Sequence, residues 1–220
     1  MRRNVCRVGL SAIAAVALSA SFAANARADM MDMTGIEPWD ICGSCHGVDG
    51  AGNSIKFPRL AGQRPEYLIK QLTDFRMGRR RNDGSQMQAS ATELGEADLK
   101  RVAKWFASQT PPWPQPTMND EVDLSRIRKL VVEGSGSVPA CISCHHSKPA
   151  ERAGPSVVAP RIAGQRDFYI AKQLADFRTG ERDNDAGKLM RRIANGLSAA
   201  DIAGLAMYLS QNPELHEQAQ

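Results

Sequence analysis

The chain is one unit written twice. CGSCH at Cys42–His46 returns as CISCH at Cys141–His145, 99 positions on. PRLAGQRPEYLIKQLTDFRMG, Pro58 to Gly78, returns as PRIAGQRDFYIAKQLADFRTG, Pro160 to Gly180, 102 positions on. Asn82-Asp83 matches Asn184-Asp185 at the same spacing, while Met87 matches Met190 and Asp98 matches Asp201 at 103. Identity this dense at nearly constant spacing marks a duplication. A period near 100 residues is the size of a small domain.

Each copy reads as helical. Leu68, Leu72 and Phe75 keep helical spacing, as do Leu99, Val102, Ala103 and Phe106. Ile170, Leu174 and Phe177, then Ile202, Leu205, Ala206 and Leu209, repeat both sets. Pro65 suits a first helical turn, and Gly78 and Gly180 suit C-terminal stops. No segment sustains strand alternation, so the fold class is all-α, with two tandem domains over 29–109 and 125–220. Between them, residues 110–124 carry four prolines and read as a stiff, extended linker. Each half is small for an aliphatic core, and aromatic residues are only 5% of the chain, so a bound apolar cofactor is expected to complete each core.

The first 28 residues read as a cleaved leader. Arg2, Arg3 and Arg7 precede an apolar, alanine-rich run, which closes on Ala26-Arg27-Ala28. Cleavage is expected after Ala28, giving an exported chain that starts at Asp29. A short membrane anchor is the competing reading, but the run is marginal for spanning a bilayer. Arg2, Arg3, Arg7 and Arg27 leave with the leader, reducing Lys+Arg from 28 to 24 against 24 Asp+Glu. The balanced charge gives no support to a nucleic-acid partner.

Cys6 also leaves, so Cys42, Cys45, Cys141 and Cys144 remain. Four cysteines in an exported chain could form two disulfides. Each pair, however, is CxxC followed at once by histidine, the attachment signature of c-type haem. A redox dithiol and a zinc site are the rivals, and two copies favour haem. The thioether positions are then Cys42 and Cys45 for one haem and Cys141 and Cys144 for the other. His46 and His145 take one axial position on each iron. For the sixth position the duplication selects Met87 and Met190, since Met77 and Met207 have no methionine counterpart. A thioether ligand raises the potential relative to a second histidine. Pro58 and Pro160 have two readings: plain turns, or carbonyls that accept the free N–H of the ligand histidine. His146 faces Gly47 in the alignment, which makes it a neighbour of the second haem rather than a ligand. The run Arg79–Arg81 reads as a solvated turn, with propionate neutralisation or partner steering as the alternatives; a role common to both copies falls on Arg80 and Arg182.

The order CxxCH, PR-L/I-AGQR, YxxKQLxDFRxG, ND, Met, D-L/I, given twice, resembles the two-haem class I cytochromes c of the cytochrome c4 group. The resemblance covers essentially the whole chain after residue 28. It implies two cytochrome c folds packed together, each around a covalent haem c, with His/Met ligation. It also maps the proximal-side proline of that family onto Pro58 and Pro160. The function it implies is electron carriage in the periplasm, between respiratory redox partners. A quinol-oxidising complex or other donor would lie upstream and a terminal haem–copper oxidase downstream, and the carrier would be soluble or peripherally attached to the membrane. The alternative is a dihaem subunit of a larger sulfide- or alcohol-oxidising complex. With both axial positions filled by protein, no open site is left for an enzyme.

Overall fold

The structure is a computed structural model and describes residues 35–52, 56–113, 124–145 and 158–216. The first half contains α1 (Pro38–His46), α2 (Pro65–Arg76), α3 (Gln86–Thr92) and α4 (Glu96–Ser108). Proline begins both α1 and α2, where its missing N–H costs nothing. The core is formed by Leu68, Leu72 and Phe75 of α2, Ala91 of α3, and Leu99, Val102, Ala103 and Phe106 of α4. Those of α2 and α4 are the predicted helical faces, and Ala103 and Phe106 are 0% exposed. Trp39 of α1 stacks on Trp105 of α4 with ring centroids 4.6 Å apart, which fixes the helix bearing the first CxxCH against the C-terminal helix.

The second half contains α5 (Ser125–Val132), α6 (Ile142–His145), α7 (Asp167–Thr179), α8 (Leu189–Asn195) and α9 (Ala199–Gln211). Ile127, Leu130, Val131, Ile170, Ile202, Leu205, Ala206 and Leu209 lie within its core. Gly180, at φ 87°, ends α7 in the left-handed region, the predicted stop. Ser198 and Asp201 close a capping box at the start of α9.

The copies differ around CxxCH. In the first half one continuous helix carries the motif. In the second, α5 ends at Val132, a two-residue antiparallel pair (β1, Gly134–Ser135; β2, Val138–Pro139) follows, and the short α6 carries Ser143 to His145. Two residues per strand are too few for alternation to register in a sequence, so this hairpin adds a detail to an otherwise all-α chain. Among the described residues no helix is long and apolar enough to cross a membrane.

The described residues from Ile36 onward belong to one compact unit, and the repeated polar motif supplies bonds between the halves. Gln165 Nε2 donates to the Arg59 carbonyl at 2.9 Å, and Gln63 Nε2 donates to the Arg161 carbonyl at 2.9 Å. Arg80 donates to the Tyr169 hydroxyl at 3.0 Å, and Arg182 to the Tyr67 hydroxyl at 3.0 Å. Lys70 Nζ reaches the Asn184 carbonyl at 2.9 Å, and Lys172 Nζ the Asn82 carbonyl at 2.8 Å. Each of these bonds has its reciprocal, the pattern of an isologous interface built within one chain.

Candidate haem-binding sites

Helix α1 aligns Cys42, Cys45 and His46 over its last turns. His46 is 5% exposed, and its Nδ1 lies 3.0 Å from the Pro58 carbonyl oxygen. The second half repeats this contact: His145 Nδ1 lies 2.8 Å from the Pro160 carbonyl oxygen. Of the two readings of these prolines, the geometry therefore supplies the carbonyl contact. With Nδ1 occupied in this way, each ring has Nε2 left as its donor to a metal. The loop between His46 and Pro58 is held by the Gly50 carbonyl, which accepts Leu60 N–H at 2.9 Å and Ala61 N–H at 3.0 Å. At Gly50 φ is 72°, and a Cβ would sit 2.7 Å from the Phe106 ring, so only glycine fits there.

Burial lowers the pKa of His46, and the Pro58 carbonyl opposes the shift. Burial also lowers that of His145, opposed by the Pro160 carbonyl and reinforced by the Arg64 guanidinium. Both shifts favour the neutral imidazole that a metal requires. Burial pushes the thiols of Cys42 and Cys141 up to about 11. A redox dithiol needs a depressed cysteine pKa, so these two are unsuited to that role. Cys42, Cys45, Cys141 and Cys144 form no disulfide, which leaves both pairs available for haem attachment. Among the described residues no three His, Cys, Asp or Glu side chains converge as metal ligands, which leaves zinc without a cage.

Met87 lies in the first turn of α3, half-buried, and packs with Cys42 against the first core. Met190 occupies the second position of α8 and is also half-buried. Sequence reasoning passed over the residues that hold these two turns. Asp83 accepts the Met87 N–H at 2.5 Å, and Asp185 accepts the Arg191 N–H at 3.0 Å. Ser85 (φ 68°) and Lys188 (φ 57°), each two positions before its methionine, are the non-glycine residues with positive φ among those described. Left-handed backbone at the same point of both repeats marks a functionally constrained turn. The Asn-Asp match already visible in the alignment was the available signal for the carboxylates.

The seam between the halves is rich in arginine. Arg59, Arg80, Arg161, Arg166 and Arg182 form no ion pair among the described residues, and their side-chain acceptors are amides, hydroxyls and carbonyls. The Nε atoms of Arg59, Arg161 and Arg166 are buried without an acceptor among the described residues. Arg59, Arg80 and Arg182 are buried and Arg161 and Arg166 half-buried; such cations without carboxylates, beside N–H groups without acceptors, fit a cofactor that brings its own carboxylates, as haem does through its propionates. The expected solvated turn at Arg79–Arg81 is corrected here. Arg79 and Arg81 are exposed, but Arg80 and Arg182 are each 5% exposed and locked across the seam. Sequence reasoning missed this because the partners Tyr169 and Gln173 lie far along the chain. His146 lies outside the described residues, as does most of the predicted linker.

Two CxxCH-bearing helical halves, each with a histidine fixed through Nδ1, define a c-type cytochrome with two class I haem domains. A family model for cytochrome c matches residues 39–110. Cytochrome c4 of Pseudomonas aeruginosa is 37% identical over 172 residues, covering 77% of this chain and 82% of the relative. The thiosulfate dehydrogenase electron acceptor of Stutzerimonas stutzeri is 32% identical over 207 residues, covering 91% of this chain and 93% of the relative. The crystal structure of reduced recombinant cytochrome c4 from Pseudomonas stutzeri superposes with a TM-score of 0.66 at 35% identity, covering 77% of this chain and 92% of that one. The chain belongs to the cytochrome c4 family. It is an electron carrier rather than an enzyme, and it carries two covalently bound haem c groups.

Proposed function

We propose that Cys42 and Cys45 hold one haem and Cys141 and Cys144 the other, with His46/Met87 and His145/Met190 as the axial pairs. On this reading the domains are 29–109 and 125–220, and the protein works in the periplasm, passing electrons between redox proteins toward a terminal haem–copper oxidase. The observation that carries the reading is the matched His46–Pro58 and His145–Pro160 contacts, at 3.0 and 2.8 Å. They leave the same imidazole nitrogen available in both halves.

The haem supplies the one-electron couple, and this chain's residues set its conditions. Pro58 and Pro160 accept the Nδ1 protons, fix ring orientation and raise ligand basicity. Met87 and Met190 offer neutral thioethers, which shift the balance toward the reduced metal. The buried cores exclude water from both sites. The seam arginines give the propionates their counter-charge.

A spectroelectrochemical titration of the holoprotein with haem stoichiometry tests the reading. Two low-spin haems per chain, both at the positive potentials of His/Met ligation, support it. One high-spin haem overturns the methionine assignment in that half.

A second reading concerns the donor. The 32%-identical relative named a thiosulfate dehydrogenase electron acceptor favours a sulfur-oxidising dehydrogenase upstream, acting as a separate protein or as part of a larger complex. Reduction of the purified carrier by such a dehydrogenase with thiosulfate, compared with reduction by quinol-oxidising membranes, decides between the donors.

A further inference from the structure

Pro160 presents the carbonyl that His145 uses, yet a proline has no N–H by which to anchor itself. Its neighbours are anchored instead, and from the other half. Arg64 Nη1 donates to the Ala159 carbonyl at 2.7 Å. Gln63 Oε1 accepts the Arg161 N–H at 2.9 Å, while Gln63 Nε2 donates to the Arg161 carbonyl at 2.9 Å. Gln63 and Arg64 are 7% and 8% exposed, and the Arg64–Ala159 bond is buried. Gln63 is itself held in place, since its Oε1 also accepts the Arg64 N–H at 3.0 Å where α2 begins.

We propose that Gln63 and Arg64 are positioning residues for the second haem site. From the first half they clamp Ala159 and Arg161 on either side of Pro160, and so set in trans the hydrogen bond that tunes His145. The inference rests on His145 being an axial ligand.

The two residues act with opposite sign. The Gln63 clamp keeps the Pro160 carbonyl on the Nδ1 proton, which makes the imidazole a stronger donor and favours the ferric state. Loss of the clamp raises the potential. Arg64 brings a positive charge to the same loop, and that charge disfavours the ferric state. Loss of the charge lowers the potential. The arrangement is reciprocal but unequal. Gln165 clamps Arg59 through bonds of 2.8 and 2.9 Å, beside Pro58. Arg166, by contrast, reaches the Gly52 and Ala51 carbonyls, in a different part of the loop from the residue preceding Pro58.

The test is a redox titration of full-length holoprotein, with each haem followed by its resolved methionine-ligand resonances in NMR. Gln63→Ala is expected to raise the second potential and Arg64→Gln to lower it. Each change is of the order of tenfold in the ferric-to-ferrous ratio at the wild-type midpoint, about 59 mV for a one-electron couple, with the first haem unmoved. Gln165→Ala is expected to move the first haem and leave the second. Arg64→Lys, which keeps the charge, holds the second potential near wild type, and Arg64→Met removes the charge in its place if Arg64→Gln does not fold. Equal movement of both haems, or none in a folded variant, overturns the clamp. A wild-type second haem without methionine resonances overturns the ligand assignment instead, before any variant is compared.

Discussion

The Asp83 carboxylate accepts the backbone N–H of Met87 at 2.5 Å and that of Ser85 at 3.2 Å. One side chain therefore both caps α3 and fixes the turn that presents the methionine. Replacing it, Asp83→Ala, leaves two N–H groups at the helix start without this acceptor, at a cost of about 1 kcal/mol. The expected outcome is a lower thermal midpoint and a ferric spectrum in which part of the first haem turns high-spin. An unchanged spectrum would show that the turn holds Met87 without its cap.

Met87 itself offers a sharper test. Met87→His exchanges a thioether for a second imidazole, which stabilises the ferric state. The first potential should fall by roughly 0.1–0.3 V, within the ~0.8 V that axial ligands span, while the second stays where it was. Two separately resolved redox steps, only one of them displaced, is the expected record. If both steps stay in place, Met87 is a core residue and not a ligand.

The seam predicts coupling between distant positions. Gln71 Oε1 accepts from Arg80 at 2.8 Å and from Arg182 at 3.0 Å, and Gln173 Oε1 accepts from Arg182 at 2.8 Å and from Arg80 at 2.9 Å. Removing either guanidinium strips two buried amides and one tyrosine hydroxyl of a donor, at a cost of about 2–4 kcal/mol. Because the acceptors are shared, the effects of Arg80→Leu and Arg182→Leu should not add. A double-mutant cycle by chemical denaturation is expected to show an interaction of at least ~0.5 kcal/mol. Strict additivity would mean that the two arginines serve separate networks.

Asp201 gives the fold a dependence on acid. The Arg126 guanidinium, together with Ser198 Oγ and N–H, holds its carboxyl down to about 2, against the cost of its burial. The folded value lies below the unfolded one of about 3.9. The stabilisation is therefore complete above pH ~4 and is lost as the pH falls toward 2. Arg126 is exposed and screened by solvent, so the amount is on the order of 1 kcal/mol rather than the full shift. Thermal midpoints of wild type and Asp201→Asn should differ at pH 7, draw together below pH ~4, and converge only at about pH 2. A constant difference across that range would assign the effect to the cap geometry alone.

The helical faces were legible because their signal is local. Leu99, Val102, Ala103 and Phe106 repeat at the spacing of one helix face, and all four are buried in α4. Duplication made the pairing of each CxxCH histidine with a proline readable as well, since chance does not repeat a sparse pattern twice. The seam was not legible for the opposite reason: Arg80 pairs with Tyr169 and Gln63 with Arg161, and no local periodicity records a contact some 90 to 100 residues away. A trace of it was nevertheless present. The repeats agree more closely in polar residues such as Gln63, Arg64, Gln71 and Asp74 than two independent cores require. Polar identity beyond the needs of a core marks a surface that meets its own copy.

The left-handed residues before the methionines yield the last prediction. Gly84-Ser85 and Gly187-Lys188 each place two consecutive residues at positive φ, between 57° and 69°. The glycines adopt this without strain, whereas a side chain there costs roughly 1–2 kcal/mol. Ser85→Gly and Lys188→Gly relieve that cost, offset in part by the greater freedom of glycine in the unfolded chain. Each variant should therefore gain about 0.5–1 kcal/mol in thermal unfolding of the holoprotein. If the turn is also what aims the methionine, the gain in stability will come with a larger high-spin fraction in the matching haem alone. A loss of stability would show that Ser85 and Lys188 make contacts worth more than the strain they carry.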